Sequence, residues 1–147
     1  MRILAIDPGE KRIGVAMSDP TGTIANPHSV IQHISRPIDA ATIAQIAEEN
    51  QVGLIVIGQS LDIEGNPTPQ GRRALRLASA LREQTDIPVE LWDESGSTQA
   101  ARSASIAMGV PRRKRKGHLD DLAATYILQT YLDAHKNMPS ARLDQDT

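Results

Sequence analysis

The stretch AIDPGEKRIGVA, residues 5–16, closes an apolar run on Asp7, turns through Pro8–Gly9, carries the basic pair Lys11 and Arg12, and re-enters an apolar run. Two readings compete. Asp-Pro-Gly is ordinary turn chemistry, with the basic pair facing solvent. Alternatively, Asp7 ends a buried strand in order to hold a metal ion, and Lys11 and Arg12 meet a phosphate beside it. The flanking residues favour a strand pair in either case. Residues 2–7 (RILAID) are almost continuously apolar, as in a central strand covered on both faces, and residues 12–18 follow closely enough to be its hairpin partner.

Working outward, a third strand fits within 23–32, with Pro27 placing it at an edge. The period then changes. Ser35 can cap and Pro37 can occupy the first turn of a helix running to about Asn50, with Ile38, Ile43, Ile46 and Ala47 inward. Residues 54–58 (LIVIG) read as a buried strand. A polar loop, 59–69, leads to a helix over about 70–84, and VELWDE (89–94) is another strand. Ser97 or Thr98 opens a further helix stopped by Gly109, the loop 109–117 carries PRRKRK, and a last helix covers about 118–135. The polar tail from Lys136 is expected to be disordered. This order predicts one α/β domain, residues 1–135. Its mixed five-stranded sheet, three antiparallel strands followed by parallel βα units, is flanked by helices. Strands 1, 4 and 5 should be parallel neighbours, which brings Asp7 and Glu94 to the carboxyl end of the sheet, where open α/β sheets place their sites.

Composition sets the bounds. With 147 residues the length suits about one domain, and a hydrophobic fraction of 39% supports a core of Ile, Leu, Val and Ala, since aromatics are only 2%. A net charge of −2 gives no global signal for nucleic acid, so any such signal must be local. Cysteine is absent, which excludes disulfides and thiolate chemistry. No signal peptide or membrane-length apolar run is visible, so a cytoplasmic protein is expected, without membrane attachment.

Asp93 and Glu94 are adjacent at a strand end, so their side chains face opposite ways and only one can join Asp7. On the last helix, the full apolar set, which includes Leu119, Leu122, Ala123, Tyr126, Ile127 and Tyr131 among others, defines an inward direction. Asp120 lies roughly 25° from it and Asp121 roughly 125° away. A carboxylate on a core face is costly unless cations or hydrogen bonds compensate it. A first-turn position favoured by the helix dipole is the plainer explanation. Three carboxylates from strand 1, strand 5 and the last helix form an all-oxygen donor set suited to Mg²⁺ or Mn²⁺. Two such ions can activate a water and stabilise the leaving oxygen in phosphodiester hydrolysis.

These segments resemble the YqgF/RuvX family of ribonuclease-H-like proteins. IDPGEKRIGVAMSD (6–19) is similar to the family's opening strand pair, and IGQSLDIEGNPTPQGRRA (57–74) to its Gly-rich loop and helix. WDESGST (92–98) stands where the family has D-E-R-x-S/T-T, and RRKRKGHLDDLAATYILQTYL (112–132) resembles its basic loop and closing helix. The resemblance implies a metal-dependent endonuclease acting on Holliday junctions or on the precursor of 16S rRNA, with catalytic and metal-binding acids at Asp7, Glu94 and Asp120. Ser95, Gly96 and Ser60 depart from the family's pattern, which has Arg after the Glu, an apolar residue next, and Pro before Leu61.

The densest charge run, Arg112, Arg113, Lys114, Arg115 and Lys116, immediately precedes that last helix and is the leading candidate for binding a polyanion. Arg72, Arg73 and Arg76 share a helix face by i, i+3 and i+4 spacing and extend the footprint, as do Lys11 and Arg12. So few aromatics leave little base stacking, so the backbone and shape of structured RNA or branched DNA would be recognised rather than sequence. The competing reading is a nuclease-fold binding module without catalysis, for which Ser95 and Gly96 are the best support. An actin-like ATPase shares the Asp-x-Gly turn but needs two such domains, and the chain has length for one. Homodimerisation is left open.

Overall fold

The computed structural model describes residues 1–93 and the backbone of 112–136, with side chains of the latter from Leu122 to His135. Strand β1 (Arg2–Pro8) pairs antiparallel with β2 (Arg12–Ser18), and β2 with β3 (Ala25–Gln32). Helix α1 (Arg36–Glu49) leads to β4 (Val52–Gln59), and α2 (Pro69–Gln84) to β5 (Val89–Asp93). Both β4 and β5 run parallel to β1 in a single sheet of order β3-β2-β1-β4-β5. Helix α3 (Arg112–Lys136) closes the described fold. The expected mixed sheet is therefore the observed one, with the Pro27-bearing strand at an edge.

Alternation along each strand assigns the two faces. Leu4 and Ile6 of β1, Ile13, Val15 and Met17 of β2, and Ile55 and Ile57 of β4 pack with α1 and α2. Ile3 and Ala5, Ala16, and Leu54 and Val56 pack beneath Ala124, Ile127, Leu128, Tyr131 and Leu132 of α3. A strand covered on both sides can be apolar throughout, which is why RILAI shows no polar alternation.

Capping sets the helix starts. Ser35 accepts from the Ile38 amide with Pro37 in the first turn, and Thr68 accepts from the Gly71 amide with Pro69 first. Gly71 is required by close approach, because a Cβ there would stand 2.3 Å from the Ser60 carbonyl oxygen. Gly71→Ala should therefore lower stability by about 1–3 kcal/mol, measured by denaturant melts, and an unchanged midpoint would mean the loop yields freely. At the opposite sheet end, Asp19 accepts from the amides of Ile24, Thr23 and Thr21 and from the Thr21 hydroxyl. These bonds, the one from Ile24 foremost, hold its carboxyl well below the usual range.

Two expectations change. Ile38, expected inward, is 47% exposed, and Asp39 takes the buried place in that turn. A polar residue can do so because its carboxylate accepts from the Ile34 amide at 3.0 Å and bonds the His33 imidazole. The basic run, expected in a loop, lies in the first turns of α3. Arg and Lys are good helix formers, and that propensity outweighs the unfavourable dipole and like-charge terms in 112–116. The helix expected from Ser97 or Thr98 to Gly109 and the tail beyond Lys136 lie outside the described residues.

Candidate active site

Asp7 sits on the next-to-last residue of β1, at the carboxyl end shared by the parallel strands. Its parity is that of Ile3 and Ala5, so the half-buried carboxylate belongs to the α3 face. The neighbours explain why there is room for it. On β2 the residue paired with Asp7 is Gly14, and on β4 the residue after the Ile6↔Ile57 pair is Gly58. Asp7 is therefore flanked on its own face by two positions without side chains. Spacing within the sequence does not show this, because it emerges only once the register is known.

The turn beyond Asp7 is tight. The Gly9 amide donates to the Arg12 carbonyl at 3.0 Å, and a Cβ on Gly9 would come within 2.4 Å of that oxygen. Lys11 is exposed in this turn. Arg12 is the first residue of β2, also exposed, with the parity of Gly14 and Ala16 and hence on the face of Asp7.

On β5, Trp92 packs on the α3 face, where its indole donates to the Thr130 hydroxyl at 3.1 Å and meets the Tyr131 ring edge-on. Glu90 shares that face and accepts from the Tyr131 hydroxyl at 2.7 Å, whereas Asp93 has the opposite parity. Glu94 and the side chains of Asp120 and of Arg112, Arg113, Lys114, Arg115 and Lys116 lie outside the described residues. Among the described residues no three acidic or histidine side chains cluster as a metal site.

Arg72, Arg73 and Arg76 occupy α2 and so border the other face of the sheet. Arg72 is exposed and donates to the Pro67 carbonyl at 3.2 Å. Arg73 and Arg76 line a cleft beside the β1–β2 turn together with His33 and Arg36, residues that the sequence did not single out. No helix of the described residues is long and apolar enough to cross a membrane.

A sheet of order 3-2-1-4-5 with an acid near the carboxyl end of its central strand defines a ribonuclease-H-like fold of the RuvC type. Solved structures agree. Thermus thermophilus RuvC in complex with a Holliday junction substrate superposes with a TM-score of 0.59 at 17% identity, covering 93% of this chain and 96% of that one. The fowlpox virus Holliday junction resolvase superposes at 0.53 and 13% identity, covering 91% and 99%. Residues 1–134 match the family described as RuvX: Holliday junction resolvase, and the chain belongs to that family. Relatives named "Putative pre-16S rRNA nuclease" include one from Thermoanaerobacter pseudethanolicus, 43% identical over 93% of this chain and 99% of its own. Another, from Syntrophomonas wolfei, is 40% identical over 90% of this chain and 94% of its own.

Proposed function

We propose that this protein is a metal-dependent endonuclease that hydrolyses phosphodiester bonds of structured nucleic acid, with the precursor of small-subunit rRNA as its substrate class. The placement of Asp7 carries this reading: a carboxylate at the carboxyl end of the central strand, on the face covered by α3, between Gly14 and Gly58. The choice of rRNA precursor over a DNA junction rests on the relatives at 40–43% identity, since the resolvase structures share only the fold.

Asp7, Glu94 and Asp120 would hold Mg²⁺ or Mn²⁺. The fit is supported by the donor chemistry, oxygen only, and by the space that two glycines leave beside Asp7. When bound, such ions supply an activated water and neutralise charge on the phosphate. The chain's own residues do the rest. Glu90 and Trp92 share the face of Asp7, and in a strand alternating by two the next position of that parity would be 94. Position 120 lies one turn before buried Ala124, at the sheet end to which α3 runs back. Arg12 on the same face, Lys11 in the turn, and the basic run on the first turns of α3 would hold the phosphate backbone.

The stripe of α3 formed by Ala124, Ile127, Leu128, Tyr131 and Leu132 is centred about 50° from position 120 and about 50° from position 121, on opposite sides. The register of this buried stripe therefore admits either acid, where the whole apolar set of the sequence favours Asp120, and the resemblance of the closing helix to the family's selects Asp120. Asp120→Asn should lose Mg²⁺-dependent cleavage of a precursor-rRNA fragment, while Asp121→Asn retains it. The reverse outcome would transfer the ligand role to Asp121.

A further inference from the structure

On the face of the sheet away from Asp7, a cleft of about 300 Å³ opens beside the Pro8–Gly9 turn. Three arginines line it: Arg36 from the first turn of α1, and Arg73 and Arg76 from α2. Little described negative charge offsets them. Asp39 is 2% exposed and already engaged by His33 and the Ile34 amide. Glu10, with its side chain 80% exposed, reaches Arg73 only at 3.9 Å. The Arg73 Nε–H is buried and finds no acceptor among the described residues. A buried donor without an acceptor is rare in a folded protein, and an oxyanion would satisfy it. His33, anchored through Nδ1 to Asp39, keeps Nε2 for a further contact.

We propose that this cleft holds a non-scissile phosphate of the substrate strand, gripped by Arg36, Arg73 and Arg76. Planar guanidinium forks match phosphate oxygens, and Pro8 and Gly9 directly follow Asp7 in the chain. A strand crossing the β1–β2 turn thus meets the acid on one face of the sheet and the arginines on the other. The inference rests on the nuclease reading, but its test does not require cleavage.

The test measures binding of a labelled, partly duplex RNA to the full chain in EDTA, where the carboxylates carry no metal, across a salt series. Arg73→Gln/Arg76→Gln should weaken binding tenfold or more and lower the salt slope by about 1. Arg36→Gln, on an exposed position, should weaken it threefold or more even if the double variant is poorly folded. Glu10→Gln should tighten binding more in the wild-type background than in Arg73→Gln/Arg76→Gln, a difference that a merely structural arginine would not produce. Inorganic phosphate should shift the amide resonances of Gly9, Ile13 and Leu77. Unchanged affinity and slope in the arginine variants would overturn the proposal. So would phosphate-induced shifts without any change in strand affinity, because the cleft would then serve a small phosphorylated molecule. Loss of binding in these variants of a protein that never cleaves would leave the cleft standing and remove the nuclease reading.

Discussion

Asp7→Asn should reduce Mg²⁺-dependent cleavage by about a thousandfold or more, about 4 kcal/mol of barrier, while leaving the fold intact. The substitution keeps volume and removes one ligand charge from a position flanked by Gly14 and Gly58. Neither of those flanking positions has a side chain that could take over the role of ligand. Thermal stability without metal should be equal or higher, because clustered carboxylates repel one another. Cleavage rate, calorimetric metal binding and melting temperature check the three parts together. Undiminished cleavage by the variant would remove Asp7 from the mechanism, and a lowered melting temperature would make its role structural.

Replacing Arg112, Arg113, Lys114, Arg115 and Lys116 with Gln should weaken nucleic-acid binding tenfold or more, similarly across sequences. The salt dependence should flatten by up to about 0.9 for each duplex phosphate that is no longer neutralised. Metal binding at the carboxylates should hold or tighten slightly, since position 116 stands one turn, about 6 Å, before position 120 and so within the screening length of about 8–10 Å. Stability should hold for a helical reason. These residues occupy the first turns of α3, where cations oppose the helix dipole, and Gln is as good a helix former as Lys. Neutralising them therefore removes repulsion without removing helix propensity. An unchanged salt slope would return the run to a solvated surface, and a large drop in stability would mean that it packs against the domain.

Much of this was legible in the sequence because local chemistry and tertiary structure agree. The unbroken apolar run before Asp7, Ser35 with Pro37, and Thr68 with Pro69 each mark an element where the fold has one. The start of α3 falls earlier than expected because a run of like charges reads as a loop, although each residue favours a helix. Ile38 and Asp39 exchange their expected places because a hydrogen-bonded pair with His33, six residues away, makes the acid the buried one. The glycines beside Asp7 and the arginine cleft share a different obscurity. Each is made by residues that meet only across strands or between helices, and no spacing along the chain encodes that meeting. Asp7 itself stands out because a carboxylate ending a buried strand is chemically conspicuous wherever it occurs.

The most direct test of the central claim is one cleavage panel with the wild-type chain. It uses a small-subunit rRNA precursor fragment and a four-way DNA junction, each with Mg²⁺, with Mn²⁺ and with EDTA. The account predicts endonucleolytic cuts in the precursor RNA with either metal and none in EDTA. Tight binding of both substrates with no cleavage in either metal would contradict it and make this chain a nucleic-acid-binding module built on a nuclease fold.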